Sequence, residues 1–237
     1  MPVTIASYNI HKAVGTDLRH NPARILDVLG EMNASIAVLQ EADRRFGARL
    51  ASLPHDLLTA RGWRWADLSE RSASLGWHGN AILVSGTVEL ERAVRLPLPS
   101  LEPRGAVLVD VRIEGRPVRI IGAHLDLSGL WRARQIAALT EAIARQPAAP
   151  PVLVMGDLNE WRPDPAGLAP LTAAYPPVPL GPSFPSRLPL GRLDRVFASR
   201  SLHLEASGVH RSPVSRLASD HLPVWVRLSP FHPHDTP

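Results

Sequence analysis

"VMGDLNEW", residues 154–161, sets two carboxylates (Asp157 and Glu160) and one carboxamide (Asn159) directly after the apolar run "VLVM" at 152–155. The run follows the helix-breaking "PAAPP" and reads as a buried strand. Before the prolines, "LWRARQIAALTEAIARQ" (130–146) carries Ile136, Leu139 and Ile143 on one helical stripe. Before that helix, "RPVRIIGAHLDL" (116–127) reads as another strand. The order is therefore strand, helix, strand, the signature of a layered α/β fold with polar residues gathered at its strand ends.

The same order opens the chain. "VTIASYNI" (3–10) is rich in β-formers, and "NPARILDVLGEM" (21–32) follows with Asn21 as N-cap, Pro22 at the first helical position, and Ile25, Val28, Leu29 and Met32 at helical spacing. "ASIAVLQE" (34–41) is a second buried strand, ending in a carboxylate. "GNAILVSG" (79–86) and "GAVLVDVRIEG" (105–115) also read as strands, and the turn Glu114-Gly115 makes the middle of the chain antiparallel. The proline-rich stretch 161–191 is too apolar for a flexible linker and reads as a long loop with one short helix. "RLDRVFAS" (192–199), "LHLEASGVHR" (202–211) and "DHLPVWVRL" (220–228) complete a strand-rich end.

A chain of 237 residues, 45% of them hydrophobic, suffices for one sizeable core. The expectation is a single domain over 1–229 and a flexible tail over 230–237. No cysteine is present, which excludes disulfides, thiolate zinc sites and a cysteine nucleophile and leaves oxygen and imidazole as metal ligands. The first residues do not read as a signal peptide, and no apolar run approaches the roughly 18 residues of a membrane span, so a soluble, cytoplasmic, monomeric protein is expected. All but one of the 26 basic residues are arginine, Lys12 being the exception, and the pI is near 10.5. Arginine suits phosphate, and the charge fits an anionic partner such as nucleic acid or phospholipid.

Polar residues recur at the strand ends: Asn9, Glu41, His124 with Asp126, Asp157 with Asn159, Asp194, and Asp220 with His221. Each alone is an ordinary cap or turn former. Together, carboxylates, carboxamides and two histidines at one edge form a hydrolytic or metal site.

"SYNIH", "LQE", "GNAIL", "AHLDL", "GDLNEW", "RLDRVF" and "SDHLPV" fall in an order and spacing that resembles the endonuclease/exonuclease/phosphatase superfamily, over residues 3–228. "GDLN" with a downstream "SDH" is specific to it. Its members include pancreatic-type deoxyribonucleases, exonuclease III-like repair nucleases, neutral sphingomyelinases and inositol polyphosphate phosphatases; small bacterial members are the most similar. The resemblance implies a four-layer α/β sandwich of two packed mixed sheets with helices outside, and a Mg²⁺-dependent phosphoesterase in which Mn²⁺ is a possible substitute. It implies Glu41, Asn9 and Asp220 as metal ligands, Asp157 orienting or deprotonating the attacking water, and Asn159 holding a phosphoryl oxygen. His221 then contacts the phosphate or moves a proton with Asp194 on its other ring nitrogen, and His124 donates to a phosphoryl oxygen or leaving group. Asn80, His11 and Arg192 are candidate substrate contacts. Asp126 and Glu160 are left outside the catalytic set as supporting or solvated residues. One departure stands out: repair nucleases commonly carry aspartate where this chain has His11, which puts a metal or phosphate contact by that carboxylate in doubt. Lys12 beside it reads as a phosphate contact or a solvated surface lysine.

Phosphodiester hydrolysis with a nucleic-acid substrate is slightly favoured, because superfamily and pI lean that way. The alternative is a phospholipid or inositol-phosphate headgroup, and a non-catalytic binding module on the same fold ranks lower. Arg44, Arg45, Arg187, Arg192 and Arg195 suit a phosphate backbone, whereas "PLGPSFPSRLPLG" (179–191) offers Phe184, Leu188 and Leu190 to stack on a base or rest against lipid.

Overall fold

A computed structural model describes residues 2–44, 50–70, 72–148, 150–162 and 166–229. Arg45 and the tail at 230–237 lie outside the described residues. One mixed sheet contains β1 (Val3–Asn9), β2 (Ala34–Gln40), β3 (Trp63–Trp65), β4 (Ala81–Ser85), β10 (Leu204–Val209) and β11 (Val224–Leu228), in the order β10-β11-β1-β2-β4-β3. The other contains β5 (Glu89–Leu96), β6 (Gly105–Ile113), β7 (Arg116–His124), β8 (Val152–Asp157) and β9 (Asp194–Ala198), in that order. Helices α1 (Pro22–Glu31), α2 (His55–Ala60), α3 (Gly129–Ala144), α4 (Ala169–Ala174) and α5 (Pro213–Ala218) join them.

The sequence explains the layering. Both long helices connect parallel strands, β1 to β2 through α1 and β7 to β8 through α3, so each must lie on the outer face of its sheet. α1 begins as read, with Pro22 at its first turn and the Asn21 side chain accepting from the Arg24 N–H at 3.2 Å. Its apolar stripe, Ile25, Leu26, Val28 and Leu29, covers Ala6, Tyr8, Ala37 and Leu39. Ile136, Leu139 and Ile143 of α3 cover Ile121, Ala123, Val152 and Val154. The alternate residues of the same strands, Ile5, Ile36, Val38, Val107, Val109, Ile120, Leu153 and Met155, pack between the sheets. Strands covered on both faces have no polar side, which is why they read as unbroken apolar runs. The result is a four-layer sandwich of two mixed sheets flanked by helices, as the motif order implied.

Period-two alternation places the site. Counting on from Ile5 by twos reaches Asn9; from Ile120, His124; from Leu153, Asp157; and back from Val196, Asp194. All four continue the inner faces of the sheets at one open end of the sandwich, and in the ladder His124 pairs with Asp157 and Asp157 with Asp194. Two glycines permit the close approach, one between strands and one between sheets. Gly156 has φ 153°, and a Cβ there would lie 1.9 Å from the Ala123 carbonyl oxygen, so β8 can approach β7 at this point only without a side chain. Gly122 on the inner face of β7 leaves room for Val38 of the opposite sheet, whose Cγ1 would be 2.6 Å from an added Cβ.

Four elements lay outside the expected set. β5, "ELERAVRL", is an edge strand with alternating exposed and half-buried positions, and its charges masked it. α2, β3 and α5 are short, three to six residues, below the length at which periodicity speaks. The short helix expected within 161–191 is α4.

Filling the space at Gly122 tests the sheet spacing. Gly122→Ala should destabilise the fold by about 1–3 kcal/mol, since Val38 must leave its rotamer or the sheets must part; the shift of the urea midpoint at unchanged slope measures it.

Candidate active site

The site is organised around one carboxylate. Asp157 is buried at the end of β8, and its Oδ2 accepts from Asn9 Nδ2 at 2.9 Å, across from the other sheet. The same oxygen lies 3.5 Å from His124 Nε2 and 3.7 Å from His221 Nε2. Oδ1 accepts from the Asn159 N–H at 3.0 Å, a turn made with Asn159 at φ 52°, a conformation asparagine tolerates better than most residues. The Asn159 side chain donates to the Leu125 carbonyl at 2.9 Å, tying the loops after β7 and β8 together.

The two histidines differ in state. His221 Nδ1 lies 2.9 Å from Asp194 Oδ2, and Ser183 Oγ donates to that same oxygen. Burial works against charge on the His221 ring, but the carboxylates of Asp194 and Asp157 outweigh it and hold the pKa up to about 10. His221 is thus an imidazolium at neutral pH, with Nε2–H toward Asp157. For His124 burial wins, aided by the Arg104 cation and opposed by Asp157 and Glu41, and the pKa falls to about 4. Its Nε2 faces the Arg104 guanidinium, which can only donate, so in this neutral ring Nε2 accepts. The proton-donating role expected of His124 is therefore not available from that nitrogen as it stands. Arg104 is the donor on His124.

Sequence reasoning missed Arg104. It is buried, donates to the Leu125 carbonyl at 2.9 Å, and pairs with Glu102 at 3.2 Å. Its signal was a charged residue immediately before the buried strand β6, in "PRGAVLV", easily lost among so many arginines. It lines a cavity of about 30 Å³ with Lys12, Glu41, Gly79 and His124.

Glu41 follows β2 at φ 54°. Burial raises its pKa, yet His124, Lys12 and His11 hold it down to about 2, so it is an anion at any ordinary pH. Lys12, read as a surface or phosphate-binding lysine, sits instead on the Glu41 carboxylate. His11 donates its backbone N–H to Asn9 Oδ1 at 3.1 Å, and its ring nitrogen lies 3.1 Å from the Val14 carbonyl and 4.0 Å from Asp220 Oδ1. Ser219 braces this corner, donating to the Asn9 carbonyl at 2.7 Å, with the His221 N–H pointing at its hydroxyl at 3.3 Å.

Several other candidates have partners of their own. Asn80 is fully buried, its amide on the Trp77 and Gly105 carbonyls at 3.4 and 3.2 Å, so its side chain braces β4 against β6. Arg192 is exposed beside the entry to β9, and Arg195 is spent on the Glu160 and Arg162 carbonyls. Glu160, expected to be supporting or solvated, is buried, its Oε2 accepting from Arg132 Nη2 and Nε at 2.8 and 3.1 Å. Asp126 is likewise buried and accepts from the Ser128 and Leu101 N–H groups.

Glu41, Asn9 and Asp220 offer hard oxygen, which suits a divalent cation such as Mg²⁺ that takes one or two carboxylates and keeps several waters. Among the described residues, no three carboxylate or imidazole side chains close into a cage. The charge already placed there fits the same reading: a lysine ammonium occupies the Glu41 carboxylate, a cation-seeking position.

The endonuclease/exonuclease/phosphatase family model matches residues 6–221. The chain belongs to that family. It is 27% identical to the uncharacterized protein YbhP of Escherichia coli (strain K12), covering 94% of this chain and 95% of that one. Among solved structures it shares its fold with the catalytic domain of human nocturnin bound to sulfate (18% identity, TM-score 0.73, covering 96% and 94% of the two chains). Zebrafish (D. rerio) TDP2 complexed with a single-strand DNA product is similar at 15% identity and TM-score 0.72, covering 97% and 99%. The mannosyl-6-phosphatase of Bacteroides thetaiotaomicron follows at 17% and 0.71, covering 96% and 99%. Family membership supports a hydrolase acting on a phosphoester, and these neighbours differ widely in what they act on or bind.

The His221–Asp194 pair predicts a pH dependence in metal-free protein. The His221 pKa is higher in the folded than in the unfolded state, so its contribution to stability is complete below about pH 6.5 and is lost as pH rises toward 10. Asp194→Asn should lower the imidazole pKa, read by NMR titration, and flatten the decline in urea midpoint between neutral and alkaline pH.

Proposed function

We propose that the protein is a Mg²⁺-dependent phosphodiesterase, with Mn²⁺ as a substitute, built on the Asp157 centre. The observation that carries this reading is the convergence of Asn9, His124 and His221 on Asp157 Oδ2 from both sheets. Such a buried carboxylate, oriented by donors and placed beside a fixed imidazolium, is positioned to bind and deprotonate a water.

Glu41, with Asn9 and Asp220, would hold the cation, which when bound supplies Lewis-acid neutralisation of phosphoryl charge. Asp157 takes the proton of the attacking water as its oxygen bonds to phosphorus. The His221 imidazolium, held charged by Asp194, donates Nε2–H to a phosphoryl oxygen as negative charge builds there. Arg104 donates to a second phosphoryl oxygen from the cavity side, held in place by His124 and the Leu125 carbonyl. Asn159 has a second amide hydrogen for the same group. The ester P–O bond breaks opposite the entering oxygen, and the leaving alkoxide takes a proton from His221 or solvent. His11 and Arg192 remain substrate contacts in this reading, whereas the Asn80 amide acts through the β4–β6 brace. The protein is read as a cytoplasmic monomer; no described helix is long and apolar enough to cross a membrane.

A nucleic-acid substrate, favoured by pI and superfamily, draws on the exposed Arg192 and Arg162 near the site. Those same arginines would meet any polyanion, so they support phosphodiester recognition without naming its source.

Excess EDTA should abolish hydrolysis of bis(p-nitrophenyl) phosphate, and added Mg²⁺ or Mn²⁺ should restore it; full activity in chelator would overturn the metal dependence. Asp157→Asn and His221→Ala should each lower kcat by on the order of 10²-fold to 10⁴-fold with the fold retained. Asp194→Asn should resemble His221→Ala, and the double variant should lose far less than the product of the two, because the pair acts as a unit. Steady-state kinetics on the three proteins decides this.

A further inference from the structure

The exposed large apolar side chains are not scattered. Eight of the described residues qualify, and all lie in loops or in the first turn of α3, at the end of the sandwich that carries Asp157. Leu18 (85% exposed) and Leu50 follow β1 and β2; Leu101 precedes β6; Leu127 and Leu130 follow β7; Trp161 follows β8; Leu188 and Leu190 (73%) precede β9. At the opposite end the apolar side chains Met32, Val88 and Leu202 are buried. Single exposed leucines mean little, but a ring of them around one opening marks an interaction face.

We propose that this end of the molecule docks on an anionic lipid surface, and that the phosphoester delivered to Asp157 is a phospholipid headgroup. The substrate half of this inference rests on the phosphodiesterase reading; the docking half stands without it.

Charge favours lipid and geometry joins the ring to the site. Arg162 adjoins Trp161, and Arg187 and Arg192 flank Leu188 and Leu190. Of the acids in the same loops, Glu160, Glu102 and Asp17 are held by Arg132, Arg104 and Arg24, Glu41 by Lys12, and Asp126 by the Ser128 and Leu101 N–H groups. Protruding apolar groups among unopposed cations are the composition of a surface that enters the headgroup layer of an anionic membrane. Trp161 rests edge-on against Phe184 with ring centroids 5.7 Å apart, and Phe184 lies 4.7 Å from the His221 ring. The apolar rim therefore reaches the reacting centre through two aromatic rings. Trp161 and Phe184 could stack on nucleobases, but leucines have no π-face, and base stacking leaves seven exposed leucines at one end unexplained.

The test is co-sedimentation of the full chain with phosphatidylcholine vesicles, with and without phosphatidylglycerol, in EDTA so that binding is read without turnover. Wild type should be retained on the anionic vesicles. Leu188→Ser with Leu190→Ser should weaken retention by at least roughly tenfold, and Arg162→Glu by about fivefold or more. Hydrolysis of bis(p-nitrophenyl) phosphate in Mg²⁺ by the leucine variant should match wild type, which also shows that it folds; if it does not fold, Leu127→Ser reads the same surface. In Mg²⁺ the wild type should release headgroup from the vesicles and the leucine variant should do so more slowly. Absence of vesicle retention alongside intact hydrolysis of the soluble diester overturns docking and leaves the phosphodiesterase standing. Leucine-dependent retention with no hydrolysis of any phosphodiester upholds docking and overturns the phosphodiesterase. Leucine substitutions that weaken single-stranded DNA binding and not vesicle retention overturn the proposal in favour of nucleic acid. A dimer in size-exclusion chromatography, broken by those substitutions without vesicle retention, overturns it in favour of a second copy.

Discussion

A carboxylate buried between two sheets is costly unless donors surround it. Here the donors come from Asn9 of one sheet, the Asn159 N–H and His221 in the loop before β11, so Asp157 ties the open end of the sandwich together. The inter-sheet core below is apolar, with Val38 seated against Gly122. Polarity enters only in the last layers, through Ser7 with Gln40 and then Asn9 with Asp157. The site is the inter-sheet core continued in polar residues, which gives it rigid walls without help from the outer loops.

The two imidazoles show how position sets state. Both flank one oxygen of Asp157, and burial discourages charge on both. His221 has a second carboxylate at 2.9 Å and stays charged; His124 has a guanidinium and stays neutral. Opposite protonation states on one hub let a single carboxylate face a donor and an acceptor at once, a division of labour expected of acid–base sites.

Much of this was legible because a strand end announces itself. An apolar run that stops at Asn, Glu, His or Asp places that residue at an edge, and four such stops, at Asn9, Glu41, His124 and Asp157, imply one edge. The four-layer architecture followed from the resemblance of the motif set to the superfamily. Arg104 escaped because nothing local separates a site arginine from the other arginines of a chain with a single lysine; only the fold brings it to His124. Of the two readings left open for Glu160, supporting or solvated, the structure gives the first, and its partner Arg132, 28 positions away on α3, could not be read locally. Asn80 read as a site residue beside Gly79, while its carbonyl partner Gly105 belongs to the other sheet. β5 carries half its residues to solvent on an edge, so its pattern is that of a surface, not a core.

Gly156 carries a further implication. Its φ of 153° and the 1.9 Å approach to the Ala123 carbonyl make the "GD" step a steric requirement as much as a chemical one. Any side chain at 156 would push β8 off β7 just where His124 pairs with Asp157. A substitution there removes no functional group, yet it would open the distance between base and imidazole. In an activity screen it would be indistinguishable from loss of the aspartate itself, so inactivity at position 156 measures strand spacing rather than chemistry.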